Sequence, residues 1–306
     1  MTKYIHHIFI FIGLLSLLFV GYWSYEGNNN VSMRRNLDVS GTKTLKRPVM
    51  HTFYQRTTLT GMTDVDDRHL LEAWREGWHA AGWDTKILTL DDAKKHDKFE
   101  SYEKTLTENT FDTYNELCYV RWLAMAANGG GWMCDYDVFP IPTSSELNRE
   151  GRDLPYKGKL TVYEYTRDGG VPSLVSGTAE EWERVALLLI DKSFDKSIAS
   201  DMYALIDLHH SDPENFVLAN KVLKGHFAMK EKEVRESMCR AWGDFMAIHI
   251  SHYAVSVGKE SGRLHKDMQP RHRPKIASEW MSEWINVCGK KKDASNKVRK
   301  KRGRQG

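Results

Sequence analysis

The sequence predicts an α/β domain with a mainly parallel sheet and flanking helices, preceded by an N-terminal transmembrane helix. Along the middle of the chain, short apolar segments typical of strands alternate with amphipathic stretches typical of helices. The first two dozen residues contain a long uncharged apolar run. With 306 residues, of which 41% are hydrophobic and 28% charged, the chain is able to bury the core of one large or two small domains.

The transmembrane helix is predicted at residues 4–23, which contain no Asp, Glu, Lys or Arg and are long enough to span a bilayer. Tyr22, Trp23 and Tyr25 are aromatic residues of the kind that lie at a membrane interface. A cleaved signal peptide is the alternative, but no pair of small residues at the spacing of a cleavage site follows the apolar run. We therefore expect residues 1–24 to hold a short tail and an uncleaved signal-anchor.

Two polar segments flank the predicted folded domain, residues 47–288. Residues 25–46 are rich in Asn, Ser and Gly, which predicts a flexible stem, and Asn30 begins a glycosylation sequon. Residues 289–306 hold nine Lys or Arg and one Asp, so this predicted disordered tail carries a charge of +8 while the whole chain carries +3. No aromatic residue is interleaved with its basic ones, and we expect no nucleic-acid partner.

The elements of the domain follow from apolar periodicity and from the turn residues between apolar segments. Alternating apolar residues predict strands, and apolar residues three to four apart predict helices. In order, we expect a strand at 49–54, a helix at 67–81, a strand at 83–88, a helix at Thr113–Ala127, a strand ending at Asp135, and strands at 160–165 and 174–175. Thr178 and Glu181 form a capping box, which predicts the start of a further helix.

Asp135 and Asp137 lie one residue apart, where a helix gives way through three glycines, 129–131, to a short apolar segment. Alternate residues of an extended backbone share a side, so both carboxylates are expected to face one cation. A divalent ion held by oxygen ligands relieves their repulsion and neutralises charge on a departing phosphate. Arg121, upstream on the helix, is a candidate for binding the same diphosphate. The alternative is a polar turn after a strand, without a metal.

These residues carry a resemblance to a known family. The pattern resembles the signature of family 32 glycosyltransferases, whose sugar-binding region contains the DXD motif and which include Golgi mannosyltransferases; it consists of Tyr114, Arg121, Leu123, Gly130, Gly131, Trp132, Asp135 and Asp137. The clostridial glucosylating toxins share that core. Residues 48–54 resemble the first strand of the family, and residues 70–93 resemble the helix and strand that follow. The similarity covers roughly residues 45–260, and its DXD block is the specific part.

The resemblance implies a glycosyltransferase-A type fold with a Rossmann-like, mainly parallel sheet. It implies a metal-dependent hexosyltransferase that moves a sugar from a nucleotide diphosphate sugar to a hydroxyl of a glycan or glycoconjugate, with retention of anomeric configuration. The cofactor would be Mn²⁺ or Mg²⁺. It also implies a single-pass type II protein of the Golgi or another secretory-pathway membrane, anchored by the N-terminal helix, with a cytosolic tail and a lumenal catalytic domain.

By the same resemblance, Asp137 would bind the metal, and Asp135 would contact both the metal and the donor. Arg121 would bind the diphosphate or the donor sugar. The base of the donor would stack on Tyr54, and His51 and Thr52 would shape the base pocket. We expect Asp137→Asn to abolish metal-dependent turnover and to leave the melting temperature nearly unchanged.

The chain departs from the family pattern at two positions. Cys118 lies three residues before Arg121, where the family often has an aspartate that helps to hold the donor, and Asn115 is the candidate to take over part of that role. Tyr54 replaces the tryptophan that stacks on the donor base in similar enzymes, and this substitution keeps an aromatic face.

Three later residues are further candidates for the site. Asp201 either begins a helix or approaches the acceptor or donor sugar, as the corresponding loop does in the family. His249 and His252 have the spacing of the late metal-site residues of the toxins, and imidazole suits Mn²⁺. On an extended strand, residues three apart point to opposite sides, so both reach one ion only through a turn. We therefore expect one of the two to bind the metal.

Four cysteines, Cys118, Cys134, Cys239 and Cys288, are too few and too scattered to predict a disulfide framework or a structural zinc site, although one pair is able to bridge in a lumenal domain. Two other functions stay open. One is a non-catalytic protein that binds a sugar nucleotide or a glycan on a degenerate transferase scaffold. The other is a D-x-D phosphatase, for which Phe139 is unusual at the fifth position.

Overall fold

The computed structural model describes residues 47–57, 62–109, 111–142, 144, 153–194 and 200–289. The described residues belong to one compact unit. The predicted transmembrane helix, the stem and the basic tail from residue 290 lie outside the described residues. Among the described residues, no helix combines the length and the apolar character that crossing a membrane requires.

The described residues form strands and helices that alternate in the first half of the domain. The strands are β1 (Val49–Phe53), β2 (Asp84–Leu88), β3 (Gly130–Cys134), β4 (Val138–Pro140), β5 (Thr161–Thr166), β6 (Gly169–Thr178), β7 (Val217–Leu218), β8 (Val222–Lys224) and β9 (Ala247–His249). The helices are α1 (Asp64–Ala80), α2 (Leu90–Ala93), α3 (Phe99–Glu108), α4 (Thr113–Ala127), α5 (Ala179–Lys192), α6 (Asp201–Ser211), α7 (Gly225–Lys230), α8 (Glu236–Trp242), α9 (His252–Glu260) and α10 (Arg273–Trp284).

The strands form two mixed sheets. The larger sheet has the order β2-β1-β3-β6-β5-β7, and the smaller one has the order β4-β9-β8. In the larger sheet β1 is parallel to β2 and β3, and β5 is parallel to β7, but β6 is antiparallel to both β3 and β5. In the smaller sheet β9 is antiparallel to β4 and parallel to β8. The predicted α/β class is confirmed, and the predicted mainly parallel sheet is corrected to a mixed one.

β6 is the strand that makes the larger sheet mixed. Only Arg167 and Asp168 separate it from β5, and a connection of two residues joins antiparallel neighbours. The prediction at 174–175 found only part of β6, because glycine and serine residues interrupt its apolar pattern. Those small residues are buried in the structure, so a fully buried strand was partly hidden by its polar composition.

Local capping explains where the helices begin. Helix α4 has the predicted bounds. Helix α1 begins three residues before the predicted start, because the Thr63 hydroxyl accepts a hydrogen bond from the Asp66 amide and the Asp66 carboxylate accepts one from the Thr63 amide. The predicted start of α5 is confirmed, since the Thr178 hydroxyl accepts from the Glu181 amide at 3.3 Å. The Glu181 carboxylate accepts a hydrogen bond from the Leu160 amide, and the second hydrogen bond of the predicted capping box is not formed.

The larger sheet separates two apolar clusters. Along β3, Trp132 and Cys134 belong to one cluster and Met133 belongs to the other. Because successive residues of a strand point to opposite faces, the two clusters lie on opposite faces of β3. The first cluster includes residues of α1, α10 and the smaller sheet, and the second includes residues of α3, α4, α5 and α6. The sheet is therefore covered by packed side chains on both faces, and its loops are free to form a site.

The C-terminal part of the described chain is held by aromatic packing and by a disulfide. Trp280 and Trp284 of α10 are buried and stack at 5.3 Å between ring centroids. Cys239 of α8 and Cys288, which follows α10, form the disulfide. Cys118 and Cys134 are free thiols.

Candidate metal and diphosphate site

Asp135 and Asp137 lie in the turn that connects β3 to β4. The Asp135 amide donates to the Ser173 carbonyl of β6 at 2.8 Å, which continues the ladder by one residue. The Val138 amide then donates to the Asp135 carbonyl at 3.0 Å and closes a tight turn. The sequence-based expectation of an extended backbone at this point is therefore wrong. The two carboxylates converge because the chain turns between them.

Pairing of β4 with β9 brings His249 to the two aspartates. Val138 lies opposite His249, and the Ile250 amide donates to the Asp137 carbonyl at 2.9 Å. One ligand atom from each of Asp135, Asp137 and His249 lies within 4.8 Å of the others, and we call these three residues the carboxylate-histidine cluster. Carboxylate oxygen and imidazole nitrogen are ligands that Mn²⁺ accepts. The donor set thus fits a divalent cation.

Glu164 and Ser173 hold the His249 imidazole in position. The Glu164 carboxylate is 2.7 Å from Nδ1 of His249, and the Ser173 hydroxyl donates to the same carboxylate. Nε2 of His249 is 3.4 Å from Oδ1 of Asp137, so it is the nitrogen directed at the aspartates. A carboxylate on one ring nitrogen is the usual support for a histidine whose other nitrogen binds a metal.

His252 is not one of the residues brought together. The Ser251 hydroxyl accepts from the Ala254 amide at 3.3 Å and caps α9, so the strand ends at His249 and a helix begins at His252. The side chain of His252 is exposed at that helix start. Of the two histidines predicted as alternatives, the geometry favours His249.

Arg121 lies between two aspartates from different parts of the chain. Its Nη1 donates to Oδ1 of Asp135 at 2.6 Å, while Nη2 and Nε donate to Oδ2 of Asp201 at 2.7 and 3.0 Å. The indole of Trp122 donates to the same Asp201 oxygen at 2.9 Å. Helices α4 and α6 therefore fix the guanidinium beside the carboxylate-histidine cluster. Asp201 begins α6 and is buried, which agrees with the predicted helix start and not with the alternative that it approaches a sugar.

Arg273 was not found from the sequence. It begins α10, is 3% exposed, and donates through Nη1 to Oδ2 of Asp137 at 2.5 Å. Its Nε donates to the Pro270 carbonyl at 2.9 Å, and its Nη2 donates to the Met62 sulfur at 3.3 Å. Arg273 lies 136 residues from Asp137 in the chain, and no local pattern links two positions so far apart.

Burial and neighbouring charge shift the pKa values of the cluster. Burial raises the pKa of Asp135 to about 6, although the charge of Arg121 opposes the shift. Burial also opposes ionisation of Asp137, but His249 and Arg273 outweigh it and hold the pKa of Asp137 below its usual range. Burial disfavours a charged His249, yet the carboxylates of Glu164 and Asp137 raise its pKa well above the usual value. The raised pKa favours the protonated imidazole, and a cation bound to Nε2 would replace that proton.

The residues predicted to hold the donor base lie on β1 and just after it. Nδ1 of His51 is 2.9 Å from the Trp132 carbonyl, and burial lowers the pKa of His51, which favours a neutral ring. Thr52 is fully buried, and its hydroxyl has no hydrogen-bond partner among the described residues. The Tyr54 hydroxyl donates to Asp67 at 2.9 Å, and its ring meets Tyr136 edge-on at 5.9 Å. Tyr136 lies between the two aspartates, so Tyr54 borders the cluster.

Asn115 and Cys118 have different surroundings on α4. The Asn115 side chain donates to Asp112, the residue that caps the helix, at 2.9 Å. It makes no hydrogen bond to the cluster in the part of the chain that the structure describes. Burial raises the pKa of Cys118 to about 12, and the negative charge of Asp201 adds to the shift. Cys118 is therefore a neutral thiol, and the carboxylates next to Arg121 come from Asp135 and from Asp201 on another helix.

One family profile matches the first part of the chain. A family profile described as a domain of unknown function (DUF8765) matches residues 33–163. The matched region contains both aspartates of the cluster and Arg121, but it ends before Asp201, His249 and Arg273. A search of curated proteins found no match to this chain.

Proposed function

We propose that this protein is a metal-dependent glycosyltransferase that moves a sugar from a nucleotide diphosphate sugar to a hydroxyl of a glycan or glycoconjugate. The observation that carries the proposal is the carboxylate-histidine cluster, in which two carboxylates and one imidazole present ligand atoms within 4.8 Å of one another beside a fixed arginine. The resemblance of the DXD block to family 32 glycosyltransferases supports the same function. The proposal includes the glycosyltransferase-A type of the fold and retention of anomeric configuration.

The side chains of the carboxylate-histidine cluster fit the divalent cation that the proposed reaction needs. Asp135, Asp137 and His249 would hold Mn²⁺ or Mg²⁺, and the bound ion would supply charge neutralisation for the departing diphosphate. Arg121 adds a fixed guanidinium beside Asp135, and guanidinium groups bind phosphate oxygens in pairs. Glu164 orients the imidazole.

The position of the cluster in the fold agrees with a ligand site. Asp135 follows directly after β3, which is parallel to β1, and ligands of α/β sheets bind beyond the carboxyl ends of parallel strands. Tyr54 follows β1 and lies at the same end of the sheet, whereas Thr52 is fully buried and is not accessible to a donor in this structure. In the proposed cellular setting, the membrane anchor rests on the apolar N-terminal sequence, and the type II orientation with a lumenal domain rests on the family resemblance.

The decisive experiment measures hydrolysis of a panel of UDP- and GDP-sugars with and without Mn²⁺. We expect one sugar nucleotide to be hydrolysed only with the metal, and Asp135→Asn to reduce that rate by at least about a hundredfold. Asp135→Asn keeps the ion pair of Arg121 with Asp201, so its melting temperature is expected to stay close to the wild-type value. Asp91→Asn, at an exposed surface position, is the matched control and leaves the rate unchanged.

One observation favours a second candidate, a non-catalytic protein that binds a sugar nucleotide or a glycan. Cys118 supplies a neutral thiol where similar enzymes often have a carboxylate. Binding of a sugar nucleotide with Mn²⁺ and no turnover, followed by turnover in Cys118→Asp, would support that candidate. Release of phosphate from a simple aryl phosphate would instead support a phosphatase.

A further inference from the structure

A groove with aromatic walls lies between β5, β8 and helices α7 and α8. It encloses a cavity of about 290 Å³, and the aromatic side chains that line it are Tyr165, Phe227, Trp242 and Phe245. Tyr165 and Phe227 are 43% and 45% exposed, so part of the aromatic surface is open to solvent. Large apolar side chains are usually covered, and two exposed ones beside one cavity mark a candidate binding surface.

Polar side chains are interleaved with these rings. Asn220 and Lys224 also line the groove, and the Lys224 ammonium lies 5.5 Å from the centre of the Phe227 ring. The negative face of an aromatic ring attracts polarised C–H groups such as those on one face of a pyranose, and amide and ammonium groups hydrogen-bond sugar hydroxyls. The chemistry of the lining therefore suits a pyranose better than a purely apolar ligand.

The groove adjoins the carboxylate-histidine cluster. Lys224 pairs with His249 in the parallel ladder of β8 and β9, and paired residues point to the same face of a sheet. On β5, Tyr165 directly follows Glu164, whose carboxylate is 2.7 Å from Nδ1 of His249. Successive residues of a strand point to opposite faces, so the direct link from the groove to this histidine is the one through Lys224.

We propose that this groove binds a pyranose ring of the glycan acceptor, with Phe227 and Tyr165 as its stacking surfaces and Lys224 as its hydrogen-bond donor. The role as acceptor site rests on the proposed function, whereas binding of the sugar does not. In the transfer, the acceptor hydroxyl oxygen bonds to the anomeric carbon of the donor and the bond from that carbon to the diphosphate oxygen breaks. The hydroxyl proton leaves with the nucleoside diphosphate.

Sugar binding is tested first, on the full chain and without any nucleotide. Saturation-transfer NMR with millimolar methyl pyranosides of mannose, glucose and galactose should give signals for at least one of them. Phe227→Ala and Tyr165→Ala should each weaken that binding by about tenfold, which is near the upper end of the effect of one aromatic contact in double-mutant cycles. Phe194→Ala, which removes a phenylalanine that is 60% exposed and lies just after α5, should change nothing.

Transfer is tested second, with the donor that the hydrolysis screen identifies. We expect Phe227→Ala to raise the KM for the methyl pyranoside acceptor by at least tenfold and to leave Mn²⁺-dependent donor hydrolysis by water unchanged. Equal sugar binding by wild type and both variants, or no binding by the wild type, overturns the groove assignment. Sugar binding that depends on Phe227 in a protein that never hydrolyses a sugar nucleotide retains the groove and overturns the proposed function.

Discussion

Asp137 is the residue whose surroundings differ most from what its motif predicts. Each of its carboxylate oxygens has a cationic partner, since Oδ2 accepts from Arg273 at 2.5 Å and Oδ1 lies 3.4 Å from Nε2 of His249. All three side chains are largely buried. The aspartate therefore neutralises two buried cations in addition to any role in binding a metal.

This arrangement changes the expected effect of Asp137→Asn. The substitution leaves Arg273 buried without a counter-charge, and breaking a buried ion pair costs about 3–5 kcal/mol. We therefore expect a lower free energy of unfolding in urea, in contrast to the nearly unchanged melting temperature that the motif alone suggested. Arg273→Met added to Asp137→Asn should recover much of the loss. An unchanged midpoint for the single variant would show that the pair contributes no stability.

The pH dependence of metal binding is also decided at the level of residues. A metal bound by the cluster needs Asp135 ionised and Nε2 of His249 unprotonated, and both pKa values are raised, that of Asp135 to about 6. Binding therefore releases protons, and the affinity rises with pH. We expect Mn²⁺ affinity, measured by calorimetry, to increase by at least about tenfold from pH 5 to pH 7.

Glu164→Gln provides the comparison for this pH effect. The substitution removes a negative charge that raises the pKa of His249, so the proton leaves the imidazole at lower pH. The pH dependence should then be shallower than in the wild type. A Mn²⁺ affinity that does not change between pH 5 and pH 7 would exclude His249 and Asp135 as ligands.

At the level of elements, the connection from α4 to β3 is the most constrained part of the site. Gly130 has a φ of +72°, and a Cβ atom there would lie 2.5 Å from the Ala179 amide nitrogen and 2.6 Å from the Thr178 carbonyl carbon. Gly129 has a φ of +86°, but a Cβ atom there would meet nothing within 4 Å. Both glycines permit a left-handed backbone, and only Gly130 also permits close approach to the start of α5.

The two glycines give a matched pair of substitutions. Gly129→Ala should cost about 1 kcal/mol of unfolding free energy, the penalty for a left-handed non-glycine residue. Gly130→Ala adds a clash with backbone that has no freedom to move, so it should cost at least twice as much or prevent folding. Chemical denaturation of both variants measures the difference. Equal losses would show that α5 is able to move away from β3.

The whole molecule is organised around the large sheet and the turn that leaves it. The cluster takes its aspartates from the connection between the two sheets and its histidine from the smaller sheet. Arg273 reaches the same place from the C-terminal helix, which the disulfide and the buried tryptophans hold. A ligand of the cluster therefore bridges elements from both sheets.

For that reason, Mn²⁺ is expected to stabilise the folded domain as a unit. A ligand that binds only the folded state at a hundred times its Kd adds about 2.7 kcal/mol. The melting temperature should rise with Mn²⁺ concentration in the wild type and stay constant in His249→Ala. Ca²⁺ at the same concentration is a useful comparison, because it prefers more oxygen ligands. A shift that persists in His249→Ala would point to a metal site elsewhere.

The sequence by itself determined the parts of this protein that depend on near neighbours. Helix α4 was predicted with its observed bounds, α5 was predicted to start at the Thr178 cap, and Asp135 and Asp137 became metal-ligand candidates from the pattern over residues 114–137. Capping, helix periodicity and glycine breaks act over a few residues, so they are visible in the chain itself.

Only the tertiary structure decided which distant residues surround the candidate site. Arg273, Glu164 and Ser173 have no recognisable spacing from the aspartates, and β6 is antiparallel because of a turn and a pairing that apolar periodicity does not encode. The choice of His249 over His252 follows from the register of β9 against β4 and from the cap at Ser251. These contacts form only when packing brings separate elements together. The free energy that determines them comes from burial of the core and not from interactions between near neighbours in the sequence.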